Sequence, residues 1–80
     1  MLFVTTLEIP RGGQTQAIGV LKNIRSVPGV EILRTLVLFG SPDAMILFES
    51  PDEKSAADFV LQFRGVMSSK TSLCVSPDEL

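Results

Sequence analysis

Residues 2–9, LFVTTLEI, are aliphatic, β-branched and aromatic with no turn former inside, and Pro10 closes the run. Such a stretch predicts a first strand. From Thr15 the apolar spacing changes: Ala17, Val20, Leu21, Ile24 and Val27 recur at steps of three and four, with Gln16, Lys22, Asn23 and Arg25 between them. That is the period of an amphipathic helix. Thr15 is its expected cap, and Pro28 with Gly29 its expected stop, because proline cannot continue the ladder and glycine accepts positive φ. Residues 30–39, VEILRTLVLF, and 44–49, AMILFE, predict two further strands, both too densely apolar for strict inside-outside alternation.

The tripeptide Ser-Pro-Asp occurs three times, at 41–43, 50–52 and 76–78. In the first copy, GSPD at 40–43 is expected to form a hairpin turn with Pro42 at its i+1 position. In the second, Ser50 is expected to cap a helix, with Pro51 in its first position and Glu53 completing a capping box. That helix carries Ala56, Val60, Phe63 and Met67 on one stripe, widened by Phe59, with Lys54, Ser55, Asp58 and Gln62 outside. The third copy stops a last strand, KTSLCV at 70–75, before the polar end. Turn, cap and stop explain the repeats better than a phosphorylation reading does.

The order strand, helix, strand, strand, helix, strand is the ferredoxin-like βαββαβ plan, an α+β fold. Both helices then lie on one face of a four-stranded antiparallel sheet, and the other face is bare. In the second strand the set Ile32, Arg34, Leu36 and Leu38 and the set Leu33, Thr35, Val37 and Phe39 are both mostly apolar. A wet face would show polar residues at alternate positions. An exposed apolar sheet face of that extent is expected to be covered by a second copy, sheet against sheet, in a homodimer of standard interface size. The plainer alternative is that two central strands are merely hydrophobic and the rest of the face is polar.

At 80 residues, 45% hydrophobic and 20% charged, the chain is one domain, 1–80. A domain this small is marginal without a disulfide, a metal or a partner. One cysteine excludes an internal disulfide, and the absence of His leaves carboxylates as the ordinary metal ligands. No cofactor is expected, and association is the remaining source of stability. A net charge of −2 provides no basic field for nucleic acid or an anionic membrane. No apolar run reaches the ~20 residues of a membrane span, and the first ten residues lack the pattern of a secretion signal, so a cytoplasmic protein is expected.

The stretch VPGVEILRTLVLFGSPDAMILFESPDEKSAADFVLQF resembles the second half of GYD domains and, more loosely, the effector-binding domains of Lrp/AsnC regulators. The shared features are a Pro-Gly-Val strand entry, a Gly-x-Asp hairpin, an apolar strand and a Pro-Asp helix start. SSKTSL is similar to the Thr-rich last strand of the regulators. The likeness covers about residues 27–75, and the first third matches by pattern only. It implies the dimeric α/β-barrel group and therefore a sheet-to-sheet dimer. Where the first family has Gly-Tyr-Asp, this chain has Gly40, Ser41, Pro42 and Asp43, without the tyrosine. The 80 residues show no helix-turn-helix pattern, so a likeness to the regulators is expected to concern their effector-binding part alone. The regulators' effector site implies a ligand-contacting role for Gly40 and Asp43.

Without His, Tyr or Trp, neither a Ser-His-Asp nor a Cys-His nucleophile can be assembled. Cys74, between Leu73 and Val75, reads as an inert buried thiol before it reads as a redox group. RGGQT at 11–15 places Arg11 and two glycines before a helix start, where anions are favoured, yet it lacks either phosphate-loop spacing. A flexible connection is the preferred reading. Arg34 sits mid-strand among apolar neighbours and needs a carboxylate, a carbonyl or a ligand; Glu8 and Glu49 could serve. Asp43 could cap its own turn or hold a ligand amine.

Three functions remain. The first is a small-molecule, for example amino-acid, binding or regulatory module, oligomeric and non-enzymatic, with Gly40, Asp43 and Arg34 at its site. The second is a cofactor-free isomerase or monooxygenase of the same group. The third is a structural interaction subunit.

Overall fold

The computed structural model describes all 80 residues. The elements are β1 (Leu2–Glu8), α1 (Gln14–Lys22), β2 (Glu31–Val37), β3 (Ala44–Glu49), α2 (Glu53–Val60) and β4 (Ser68–Cys74), with 3₁₀ turns at Leu61–Phe63 and Pro77–Glu79. The sheet is four-stranded in the order β2-β3-β1-β4, and every pairing is antiparallel. This is the expected ferredoxin-like arrangement.

Alternation along the two central strands separates the faces. Phe3, Thr5 and Leu7 of β1 and Ala44, Ile46 and Phe48 of β3 are buried against the helices, which contribute Ala17, Ala56, Phe59 and Phe63. The rings form a connected series. Phe3 stacks on Phe48 at 5.5 Å, Phe48 meets Phe59 at 4.6 Å, and Phe59 meets Phe63 edge-on at 6.0 Å. Thr5 is the one buried hydroxyl inside this layer, and its Oγ1 lies 2.7 Å from that of Thr71. Each such aromatic pair adds about 0.5–1.5 kcal/mol beyond the area it buries.

The helix boundaries differ from the sequence pattern. The apolar period predicts α1 as far as Val27, but the helix ends at Lys22. Asn23 closes it: the side-chain amide donates to Gly19 O at 2.9 Å, and the backbone N–H donates to Val20 O. Downstream, Ser26 Oγ donates to Val30 O at 2.6 Å, so local side chains satisfy a backbone that the helix no longer serves. Ile24 and Val27 still pack on the core, which is why the periodicity outruns the helix. At the other end Gly13, not Thr15, is the N-cap, without a side-chain cap. A Cβ at Gly13 would stand 2.9 Å from Pro10 Cγ, so that turn requires glycine.

The cap of α2 moves the other way, two residues later than expected. Asp52 Oδ1 accepts from Ser55 N at 2.7 Å, while Ser50 is buried and its Oγ donates to Asp52 O. Ser50 therefore fixes the strand end, and Ser50 O also receives the Met1 amine at 2.7 Å. Of the expected stripe, Ala56, Phe59, Phe63 and Met67 are buried and Val60 is half-buried against the core, although the chain passes from α-helix to 3₁₀ turn before Phe63. Gly29 has φ +85 and faces Pro51, fitting the turn the sequence suggests, though it sits well past the helix end.

Phe48→Ala is expected to destabilise the domain by about 3–5 kcal/mol, because it opens the centre of the ring series. Phe39→Ala, at a fully exposed ring, should change stability by less than about 0.5 kcal/mol. Urea denaturation followed by circular dichroism tests both. The Ser55 amide first, then the Ser55 hydroxyl and the Lys54 charge, hold the Asp52 carboxyl below its ordinary range. A depressed carboxylate contributes stability above its unfolded value and loses it as pH falls through the folded one. The melting temperature should therefore fall below about pH 4, and Asp52→Ala should flatten that limb while lowering the plateau.

Candidate functional site

The face of the sheet away from the helices carries no element of this chain. Paired residues define its rows: Glu31, Glu49, Leu2 and Cys74; then Arg34, Leu47, Val4 and Ser72; then Leu36, Met45, Thr6 and Lys70. The middle of the face is apolar, whereas β4 contributes hydroxyls and Lys70. The face thus divides into an apolar block over β2, β3 and β1 and a polar margin on β4.

Arg34 reaches this face because of a β-bulge. Ile32 pairs with Phe48 on the covered side, the register slips at Leu33, and Arg34 then pairs with Leu47 on the bare side. Strict alternation groups Arg34 with Ile32; the extra residue separates them. Val4, Arg34, Leu36, Met45 and Leu47 line an open cleft of about 250 Å³. The guanidinium is the only charged group in that lining, and neither ion pair of the chain involves it. Met1's amine lies 3.8 Å from Glu49, and Lys54 lies 3.0 Å from Asp58. The expected pairing of Arg34 with Glu8 or Glu49 is not formed: Glu8 instead accepts weakly from Ser41 Oγ at 3.5 Å.

Gly40 and Asp43 lie elsewhere. They belong to the β2–β3 connection, where the Ser41-Pro42 peptide is cis and Gly40 is exposed with no atom crowding it. Asp43 is half-buried. Its Oδ2 accepts from Ile9 N at 2.7 Å, its N–H donates to Leu7 O, and its own carbonyl accepts from Leu38 N. Its side chain bonds to Ile9, just past β1, and not within its own turn. It fastens the hairpin to the end of β1 across 34 positions in sequence. Leu47, opposite Arg34, is four residues along β3 from Asp43, roughly 13 Å at ~3.3 Å per residue. The fold therefore does not bring Asp43 and Arg34 into one cleft.

A larger hollow, about 400 Å³, lies between the α1–β2 connection and α2, with Arg25, Asp58 and Gln62 on its rim. Gln62 and Asp58 are already engaged there, whereas Arg25 takes part through its backbone. Gln62 Oε1 accepts from Arg25 N at 2.9 Å while Nε2 donates to Arg25 O and Phe59 O at 2.8 Å, and Asp58 holds Lys54. Nothing in the sequence pattern marks Gln62 as this clamp, because on a helical wheel it is one more outward polar residue. Cys74 is half-exposed at the end of β4 beside Leu2, not buried as its apolar neighbours suggest. No group of three or more Cys, Asp and Glu gathers to hold a metal.

The sheet order, the helices on one face and the open second face define a small ferredoxin-like α+β protein. Over residues 1–80 the chain matches the family described as a domain of unknown function (DUF3303), and it belongs to that family. No curated protein matches it. No helix is long and apolar enough to cross a membrane.

Asp43→Ala removes the acceptor of a part-buried amide and is expected to cost about 1–3 kcal/mol, whereas Asp43→Asn, which keeps an acceptor, should cost less. Chemical denaturation of the two variants measures the difference. Equal stability of Asp43→Ala and the parent protein would remove the structural role assigned to this carboxylate.

Proposed function

We propose that the protein is a small-molecule binding module that works as a homodimer, two copies meeting through their bare sheet faces with ligand held between them. The observation that carries this reading is the apolar cleft of about 250 Å³ around Arg34, a small recess with one polar group on a face otherwise suited to burial. On this face Leu36 is 43% exposed in the single chain, and Val4, Met45 and Leu47 are half-buried with no element of the chain above them. Apolar exposure concentrated on one sheet is characteristic of an interaction surface. The likeness to GYD and Lrp/AsnC effector-binding domains supports the same assembly and a regulatory use. The cleft lining contains none of Glu8, Asp43 or Glu49, so no acid-base pair converges there, which favours binding over catalysis.

Sedimentation at micromolar protein is expected to return twice the chain mass of 8.7 kDa, and Leu36→Glu should shift it to the single-chain value without unfolding it. Thermal-shift screening against amino acids and small aromatic acids should reveal compounds that raise the melting temperature by mass action. A single-chain particle from the parent protein would sink the pairing, and a screen without any shift would sink the ligand.

A further inference from the structure

The chemistry of the bare-face cleft narrows what it can hold. Four of the five lining side chains, Val4, Leu36, Met45 and Leu47, are apolar, and the fifth is Arg34. The guanidinium stands without an ion-pair partner in the chain, on a face whose carboxylates, Glu31 and Glu49, belong to the neighbouring row. A register slip at Leu33 is what turns Arg34 to this side, and bulges commonly re-aim a side chain at a functional position. An unpaired cation bounded by hydrocarbon attracts an anion with an apolar body, the guanidinium taking a carboxylate through paired N–H donors.

We infer that the cleft binds a compact aliphatic or aromatic monocarboxylate lacking an α-amino group. This deepens the small-molecule reading above and rests on it. Size sets one limit. The volume of about 250 Å³ has room for about eight non-hydrogen atoms at the ~30 Å³ each water occupies in the liquid. Charge sets the other. An amino acid would carry its ammonium into a lining that has no carboxylate, and Asp43, the acidic residue suited by type to hold an amine, gives its Oδ2 to Ile9 N elsewhere. A buried ammonium without an acceptor is strongly disfavoured. The acid without the amine meets neither obstacle.

Three probes of one carbon skeleton separate these terms: 4-methylpentanoate, its amide, and leucine. Binding to the intact protein is followed by methyl NMR shifts of Val4, Leu36, Met45 and Leu47, and by melting temperature. The acid is expected to give saturable shifts at these methyls, with the amide and leucine at least about tenfold weaker. Arg34→Gln should weaken the acid by a similar factor, and Arg34→Lys should keep part of the affinity. Arg34 is exposed on an edge strand, so both variants should retain the parent circular dichroism spectrum. Leucine binding as tightly as the acid, or Arg34→Gln binding it undiminished, would overturn this inference while leaving a small-molecule module intact. Equal binding of the amide would remove the anion but keep the cleft. If none of the three probes perturbs the cleft methyls, the inference fails outright; the amino-acid and aromatic-acid screen then decides whether the broader reading fails with it.

Discussion

The contact between Phe48 and Phe59, 4.6 Å between ring centres, organises more than the core. It joins the middle of the sheet to α2, and by fixing which way Phe48 points it fixes every other residue of β3. With Phe48, Ile46 and Ala44 turned to the helices, Leu47 and Met45 must point the other way. Pairing passes the same choice to β1, where Phe3, Thr5 and Leu7 are covered while Leu2, Val4 and Thr6 are not. The bare apolar face is thus a consequence of packing on the opposite side. A one-residue slip would exchange the two sets, exposing Phe48 and burying Leu47, and the aromatic series makes that exchange costly.

The bulge at Leu33 solves a conflict this alternation creates. In unbroken register Leu33 would stand opposite Leu47, and Arg34 would stand opposite Ile46 on the covered side. A guanidinium beneath the helices would have no acceptor among Ile46, Phe48 and Ala44, and desolvating it unpaired is expensive. One extra residue lets Ile32 stay on the core and moves Arg34 to the open side, next to Leu47. The slip also brings Thr35 and Val37 to the helix side, at the thinly covered end of β2 where both remain exposed. The edge strand therefore trades tight burial of its second half for a cation on the bare face.

Much of this was legible from the residue order. β3 is bounded as AMILFE predicts, and the other strands differ from their patterns by two residues or fewer at each end. The stripe from Ala56 to Met67 identified the covered face of α2 because burial enforces its period. What escaped was set by side chain to backbone bonds that periodicity does not register. Asn23 and Ser26 ended α1 while Ile24 and Val27 kept its spacing. Asp52 took the cap from Ser50 because Ser50 was needed at the strand end. Of the candidate site residues, Arg34 could be picked out as a cation among apolar neighbours, but its side of the sheet depended on a bulge no local signal announces. Asp43 resembled a ligand contact by position in a hairpin, and its bond to Ile9 links segments 34 residues apart. Such pairings become visible only once the strands are aligned.

Pairing of two copies and occupation of the cleft would not be independent in the proposed assembly. In a free chain Arg34 is wet and needs no partner. When a second sheet closes over it, water leaves, and the unpaired guanidinium becomes a penalty that grows with the dryness of the interface. A bound carboxylate cancels that penalty where it arises, so ligand favours the closed pair and the closed pair favours ligand by the same factor. The partner's own Glu31 or Glu49 could compete for the role, but these two face each other across β2 and β3 as a like-charge pair, and Glu49 already has the Met1 amine nearby. Their release toward Arg34 of a second copy would relieve one repulsion while filling the recess. A small acid relieves the guanidinium and leaves the sheets free to pack on their apolar block, so ligand concentration would be read out as assembly.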